Sequence, residues 1–196
     1  MQNEIIKYLK QYLPIPEDLE KIILENSIFR KIKKGTILLK ESEVSNECYF
    51  ILKGCMKRYY MVDGDEKITG FFTEGQVVIP ASYTDRLPSK YYLSCLENTF
   101  ASFGNPETEN DLYKRYPQLE SITRVLGEKL MVSMSNEFDD WVSLNPEDRY
   151  LQLIKKRPEL IQRVPQYQLA NYLGIKPQSL SRIRKRLAKN DSKMFI

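Results

Sequence analysis

The sequence contains no histidine. This removes the Ser-His-Asp and Cys-His nucleophile pairs, and every metal or haem site that depends on imidazole. Only carboxylate- or lysine-based catalysis is left, and the chain reads as a non-enzyme. Cysteine is scarce too: Cys48, Cys55 and Cys95 form no CxxC pair, and an odd count argues against a disulfide framework. No apolar run approaches the roughly 18 residues of a membrane span. Residues 1–13 alternate apolar and polar positions without a signal-peptide core. Together these absences predict a cytoplasmic chain with no membrane partner. What remains is 196 residues, 42% hydrophobic and 11% aromatic, enough for one large domain or two small ones and too apolar for disorder.

The net charge of +4 conceals an asymmetry. Residues 1–145 carry 18 Lys/Arg against 22 Asp/Glu, a net of −4, whereas residues 146–196 carry 12 against 4, a net of +8. Such a split is the mark of a basic segment meeting nucleic acid or an anionic surface.

The apolar pattern changes period along the chain. Ile5, Ile6, Leu9 and Leu13, then Leu19, Ile22 and Ile23, predict two short helices separated by Pro14 and Pro16. From Ile28 to Phe103 short alternating runs are punctuated by Gly35, Gly54, Gly64, Gly70 and Gly75, the spacing of a small antiparallel barrel or sandwich. Asp63-Gly64 is a two-residue hairpin signal, since a type I′ turn needs positive φ at both positions. Asn105-Pro106 restarts helix. Residues 118–143 then carry Leu119, Ile122, Leu126, Leu130, Met134, Phe138 and Trp141 at steps of three and four. About 26 residues at 1.5 Å each make roughly 39 Å. Val125 and Val132 fall outside the stripe, so the helix serves either two partners, one of them a second copy, or a single core. Gly127 costs such a helix about 1 kcal/mol relative to alanine, which fits either a close helix crossing there or an incidental glycine in a single core helix. Asn145 and Pro146 suit the cap and first position of the next helix, which Pro158 is expected to end.

Residues 165–187 carry the most information. Pro165 opens a helix with Leu169, Ala170 and Leu173 inward, Gly174 ends it, and Pro177 starts a second helix burying Leu180, Ile183 and Leu187. Two helices across a short glycine turn are a helix-turn-helix. The free face of the second presents Gln178, Ser181, Arg182 and Lys185. Arginine can fork onto guanine O6 and N7, and glutamine onto adenine. Ser179, Arg184, Arg186 and Lys189 are placed to reach flanking phosphates.

The run from Leu169 to Leu187 resembles the helix-turn-helix of the CRP/FNR transcription regulators, with Gln178-Ser179-Leu180-Ser181-Arg182 similar to that family's Glu-x-x-Ser-Arg reading motif. Lys34-Gly35-Thr36, Tyr49 to Gly54, Gly64-Asp65-Glu66, Phe72 to Gly75 and Cys95 to Thr99 resemble its cyclic-nucleotide-binding β-roll. The resemblance implies an α+β architecture in three parts. These are an antiparallel, jelly-roll-like β-roll sensor domain with N-terminal helices (1–117), a long dimerisation helix (118–145) and an all-α helix-turn-helix domain (146–196). Only nine residues follow Leu187, so the family's β-hairpin wing is expected to be truncated. The implied partners are double-stranded DNA, a second copy of the chain and RNA polymerase.

Departures from the family define the cofactor expectations. Nucleotide-binding members carry Gly-Glu and then Arg-Ser/Thr-Ala in the roll, but residues 77–93 contain Pro80-Ala81-Ser82 and Ser89-Lys90-Tyr91-Tyr92 instead. Arg86 or Lys90 supplies charge there, yet a lysine lacks the phosphate-matching fork, so cyclic AMP is not expected. Neither is an iron-sulfur cluster, because the family's N-terminal cysteine cluster is missing, nor haem, which needs a histidine. For an unknown small-molecule effector the candidate lining is Tyr83, Tyr91 and Tyr92 with Arg124, Glu128 and Met131 of the long helix, against the competing reading of ordinary aromatic packing. The alternative function is a sensor or interaction module whose basic tail meets protein or membrane. Its free helix face would then need large apolar residues, and Gln178, Ser181, Arg182 and Lys185 are polar.

Overall fold

The structure is a computed structural model that describes residues 3–193, with side chains through Ala188. It divides into two compact units, with the boundary between Met134 and Ser135.

The first unit begins with helices α1 (Glu4–Lys10) and α2 (Glu17–Asn26). Eight strands follow: β1 (Ile28–Ile32), β2 (Ile37–Leu39), β3 (Cys48–Lys53), β4 (Met56–Val62), β5 (Asp65–Phe72), β6 (Val77–Val78), β7 (Tyr92–Cys95) and β8 (Thr99–Gly104). They pair antiparallel in two four-stranded sheets, ordered β1-β8-β3-β6 and β2-β7-β4-β5. This is the expected β-roll, and with the helices the class is α+β. The β4–β5 turn has φ of 54° at Asp63 and 87° at Gly64, the doubly left-handed geometry that Asp-Gly tolerates. Helix α3 (Ala81–Asp85) interrupts the segment before β7 and has no counterpart in the apolar pattern, being too short to show a period.

Strand β3 shows how the layers form. Tyr49 and Ile51 point between the sheets, joining Leu39, Met56, Leu93, Ala101 and Phe103 in the roll core. Phe50 and Leu52 point the other way and pack with Tyr8, Leu9, Phe100 and Leu126. A strand buried on both faces loses its polar alternation, which explains the unbroken run Tyr49 to Leu52. Helix α4 (Pro106–Arg115) starts where the Thr108 amide donates to Asn105 Oδ1 at 2.9 Å. Helix α5 (Pro117–Ser143) follows directly. Its Leu119 and Ile122 lock onto Ile15 and Leu19.

The second unit contains the last turns of α5, then α6 (Pro146–Lys156), α7 (Pro158–Arg163), α8 (Gln166–Tyr172) and α9 (Pro177–Lys193). Asn145 Oδ1 accepts from the amides of Glu147 and Asp148 at 3.0 Å each, the cap its position predicted. Pro158 ends α6 as expected but also opens α7, because a missing N–H costs nothing in a first helical turn. Tyr150, Leu153, Leu160, Val164, Leu169, Ala170, Leu173 and Leu180 are buried. Asp140 receives hydrogen bonds from Lys156 and Gln152, which together with the lysine's charge hold its carboxyl below the usual range. Among the described residues no strand follows α9, which runs helical to Lys193.

The boundary between the two units falls within α5, whose first turns lie in the first unit and whose last turns lie in the second. Between Leu130 and Trp141 the apolar residues of α5 are bare, with Met131 68%, Met134 66% and Phe138 66% exposed.

Candidate functional site

The helix-turn-helix is assembled by local chemistry. Gly174 adopts φ 72°, and the amides of Gly174 and Ile175 donate back to Asn171 O and Ala170 O, both at 3.0 Å. These two bonds are a Schellman stop, which needs a residue tolerant of the left-handed conformation. The chain can then turn within four residues, and the Ser179 and Leu180 amides donate to Lys176 O as α9 begins behind Pro177. Ala170, Leu173 and Leu180 are fully buried where α8 meets α9, so the small side chain of Ala170 sets how closely the helices approach. The Trp141 and Tyr172 ring centroids lie 4.7 Å apart, and the Arg149 guanidinium sits over the Trp141 ring at 4.9 Å from its centroid, bracing α8 against α5 and α6.

That packing decides which face of α9 is free. Gln178, Arg182, Arg184 and Lys185 are exposed, while Ser179 and Ser181 are half-buried, as are Ile183 and Leu187 on the packed side. Gln178, Arg182 and Lys185 therefore share a polar, cationic face with Ser181 at its edge. Arg186 is different: its guanidinium makes a double contact with the Glu147 carboxylate, Nε at 3.1 Å from Oε1, and so belongs to the α6–α9 packing. The side chain of Lys189 lies outside the described residues.

The candidate effector residues are not brought together. Tyr91 packs in the roll core, its hydroxyl accepting from the Ala81 amide at 3.0 Å. Tyr92 alternates to the other face of β7 and stacks on Tyr59 with ring centroids 5.2 Å apart. Tyr83 lies beside Cys48 and Glu109. Arg124 and Glu128 pair with each other at 2.8 Å on the exposed side of α5, and Met131 is bare. Neighbours in sequence on a strand face opposite ways, and spacing alone cannot say which tyrosine meets a distant helix.

Two features escaped the sequence reading. Arg58 lies on the same face of β4 as the core residue Met56, with Phe72 and Tyr91 ring centroids at 5.7 and 5.5 Å from its guanidinium and Nε donating to Thr69 Oγ1 at 3.2 Å. The second is a cavity of about 250 Å³ on the outer face of the β1-β8-β3-β6 sheet, walled by α1, α2, α4 and α5. Its lining comes from segments over a hundred residues apart, so no local motif marks it.

Residues 29–116 match the family described as the cyclic nucleotide-binding domain. No curated protein sequence matches the chain. Among solved structures it is similar to the catabolite activator protein of Thermus thermophilus (15% identity, 94% of this chain and 88% of that one, TM-score 0.54). It is also similar to the c-di-GMP responsive global regulator CLP of Xanthomonas campestris (18% identity, 88% and 91%, TM-score 0.63). A third is FixK2 of Bradyrhizobium japonicum (14% identity, 84% and 86%, TM-score 0.63). At these identities the likeness is one of fold.

Proposed function

We propose that this chain, in which residues 29–116 match the cyclic nucleotide-binding domain family and whose fold is similar to that of CRP/FNR regulators, acts as a homodimeric, sequence-specific DNA-binding transcription regulator. The observation that carries the proposal is the free face of α9, where Gln178, Arg182 and Lys185 are exposed behind a fully buried Leu180. Three polar groups able to reach base edges, on a helix held by a helix-turn-helix, suit entry into the major groove. The bare stripe Met131, Met134 and Phe138 supports pairing of two α5 helices, because apolar residues at such spacing on a free helix face need a partner. Paired recognition helices would then read half-sites about 34 Å apart on a near-palindrome.

The test is a mobility-shift titration on a sequence selected from a random library. Arg182→Ala is expected to cost about 1–3 kcal/mol of specific binding and to relax base preference at one position per half-site. Unchanged affinity for the selected sequence would remove Arg182 from the interface. We further propose that the regulator works without cyclic AMP, haem or an iron-sulfur cluster and has no catalytic activity. In the segment where the family places its phosphate-binding arginine, Arg86 and Lys90 are both exposed, and Arg86 donates to Asn46 on the surface. No histidine is available for haem, and Cys55 and Cys95 are buried while Cys48 is half-buried.

A further inference from the structure

The cavity outside the roll has an unusual lining. Leu9, Ile23, Phe50, Leu112 and Leu126 are among its apolar wall residues, and Glu109 of α4 is the one charged residue among those described. Glu109 forms no ion pair among the described residues. Its carboxylate lies close over the end of β8 because position 104 is glycine: a Cβ there would sit 2.5 Å from Glu109 Oε1 and 2.8 Å from Cys48 Sγ. The nearest polar neighbours are donors that cannot neutralise it. The Cys48 thiol is 3.6 Å from Oε1, and the buried Tyr83 hydroxyl has no hydrogen bond of ordinary geometry. Burial first, and the Glu109 charge after it, push the Cys48 thiol up to about 12 and raise the Tyr83 phenol well above its usual range.

We propose that this cavity is a ligand site for a small amphipathic amine, its ammonium at Glu109 and its hydrocarbon body against the apolar wall. An ammonium gives the half-buried Glu109 carboxylate the charged partner it lacks among the described residues, and the rings of Tyr8, Phe50 and Tyr113 in the lining favour a cation nearby. An anionic ligand would meet the Glu109 charge with no cationic side chain in the described lining to offset it. Size sets the other limit. A cavity of about 150 Å³ holds benzene, so about 250 Å³ takes one ring with a short aminoalkyl arm. The site is separate from the space between the two sheets, and it is walled on one side by Leu119, Ile122, Thr123 and Leu126 of α5, so occupancy bears directly on that helix.

Calorimetric titration of the full-length protein with 2-phenylethylamine, 2-phenylethanol and 3-phenylpropanoate tests this without DNA, so its result is independent of the DNA-binding reading. The amine should bind once per chain, at least about tenfold more tightly than the alcohol, with no heat from the carboxylate. Glu109→Gln should abolish the preference for amine over alcohol while keeping the alcohol's affinity. Leu126→Trp, which fills the cavity, should abolish binding of both, and if that variant does not fold, Ile23→Phe fills the same space. The proposal is overturned if the amine gives no heat at millimolar concentration, if amine and alcohol bind alike, or if filling the cavity leaves binding intact.

Discussion

The two units build their candidate sites by opposite routes. In the second, the cationic face is a strip of one helix, Gln178 to Lys185, and the turn that aims it is local: the Gly174 stop, the Ala170 contact and Leu180 beneath, braced from upstream by Trp141 and Glu147. In the first, the cavity draws on α1, α2, β3, β8, α4 and α5, from Ile5 to Leu126. A site made by one helix depends on a few residues holding that helix at its angle. A site made between layers is spread over many contacts, each of which can fail without losing the whole. The small all-α unit should therefore be fragile at single points where the roll is not.

Leu180→Ala is the largest expected break in that contrast. Leu180 is 0% exposed at the α8–α9 contact, and truncating such a leucine costs about 2–5 kcal/mol. A unit of about sixty residues has little stability to lose. Its calorimetric transition should collapse and operator binding vanish, while the transition of the roll unit and titration of 2-phenylethylamine stay as in the parent. A single transition lowered as a whole would mean that the units do not unfold separately.

The same contrast explains what the sequence could and could not reveal. The helix-turn-helix was legible because helical period, Gly174 and Pro177 fix it locally, and the strands of the roll were legible because their turns are marked by glycines such as Gly64. Arg186 was read as a phosphate contact from its place on the helix, where no acid stands three or four positions away. Its partner, Glu147, stands 39 positions upstream. Tyr83, Tyr91 and Tyr92 looked like a cluster because they are close in sequence, whereas strand alternation and the unforeseen α3 send them to separate environments. Glu109 gave no signal at all: in sequence it is one acid among the polar residues of a short helix, and only the fold sets Gly104 beneath it.

Titration of Cys48 gives an intermediate effect that sharpens the first unit's side of the comparison. With its thiol raised to about 12 by burial and the Glu109 carboxylate, Cys48 should resist alkylation by iodoacetamide up to pH 10, where an ordinary thiol of pKa about 8.5 is mostly thiolate. Glu109→Gln removes the second cause and should speed the reaction in folded protein. The linkage has a definite sign. A folded-state pKa raised above the unfolded value stabilises fully below about pH 8.5, and that contribution is lost as pH rises towards 12. The first unit's melting temperature should accordingly fall across this window, and fall less in Cys48→Ser.

The smallest expected effect concerns the element the two units share. Gly127 lies midway along α5, exposed, and a Cβ built on it meets nothing within 4 Å in the chain. Alanine in a helix interior is favoured over glycine by up to about 1 kcal/mol, so Gly127→Ala should raise stability by about 0.5–1 kcal/mol. Its effect on association depends on where two α5 helices meet. The bare apolar residues begin four positions further on, with Met131, Met134 and Phe138, and a seam centred on them leaves position 127 outside the contact. The dimer dissociation constant of Gly127→Ala, measured by sedimentation velocity, should then stay within about twofold of the parent while the melting temperature rises. A close crossing at Gly127 predicts the opposite pairing, a stiffer helix with a weaker dimer, because an added methyl forces the two backbones apart.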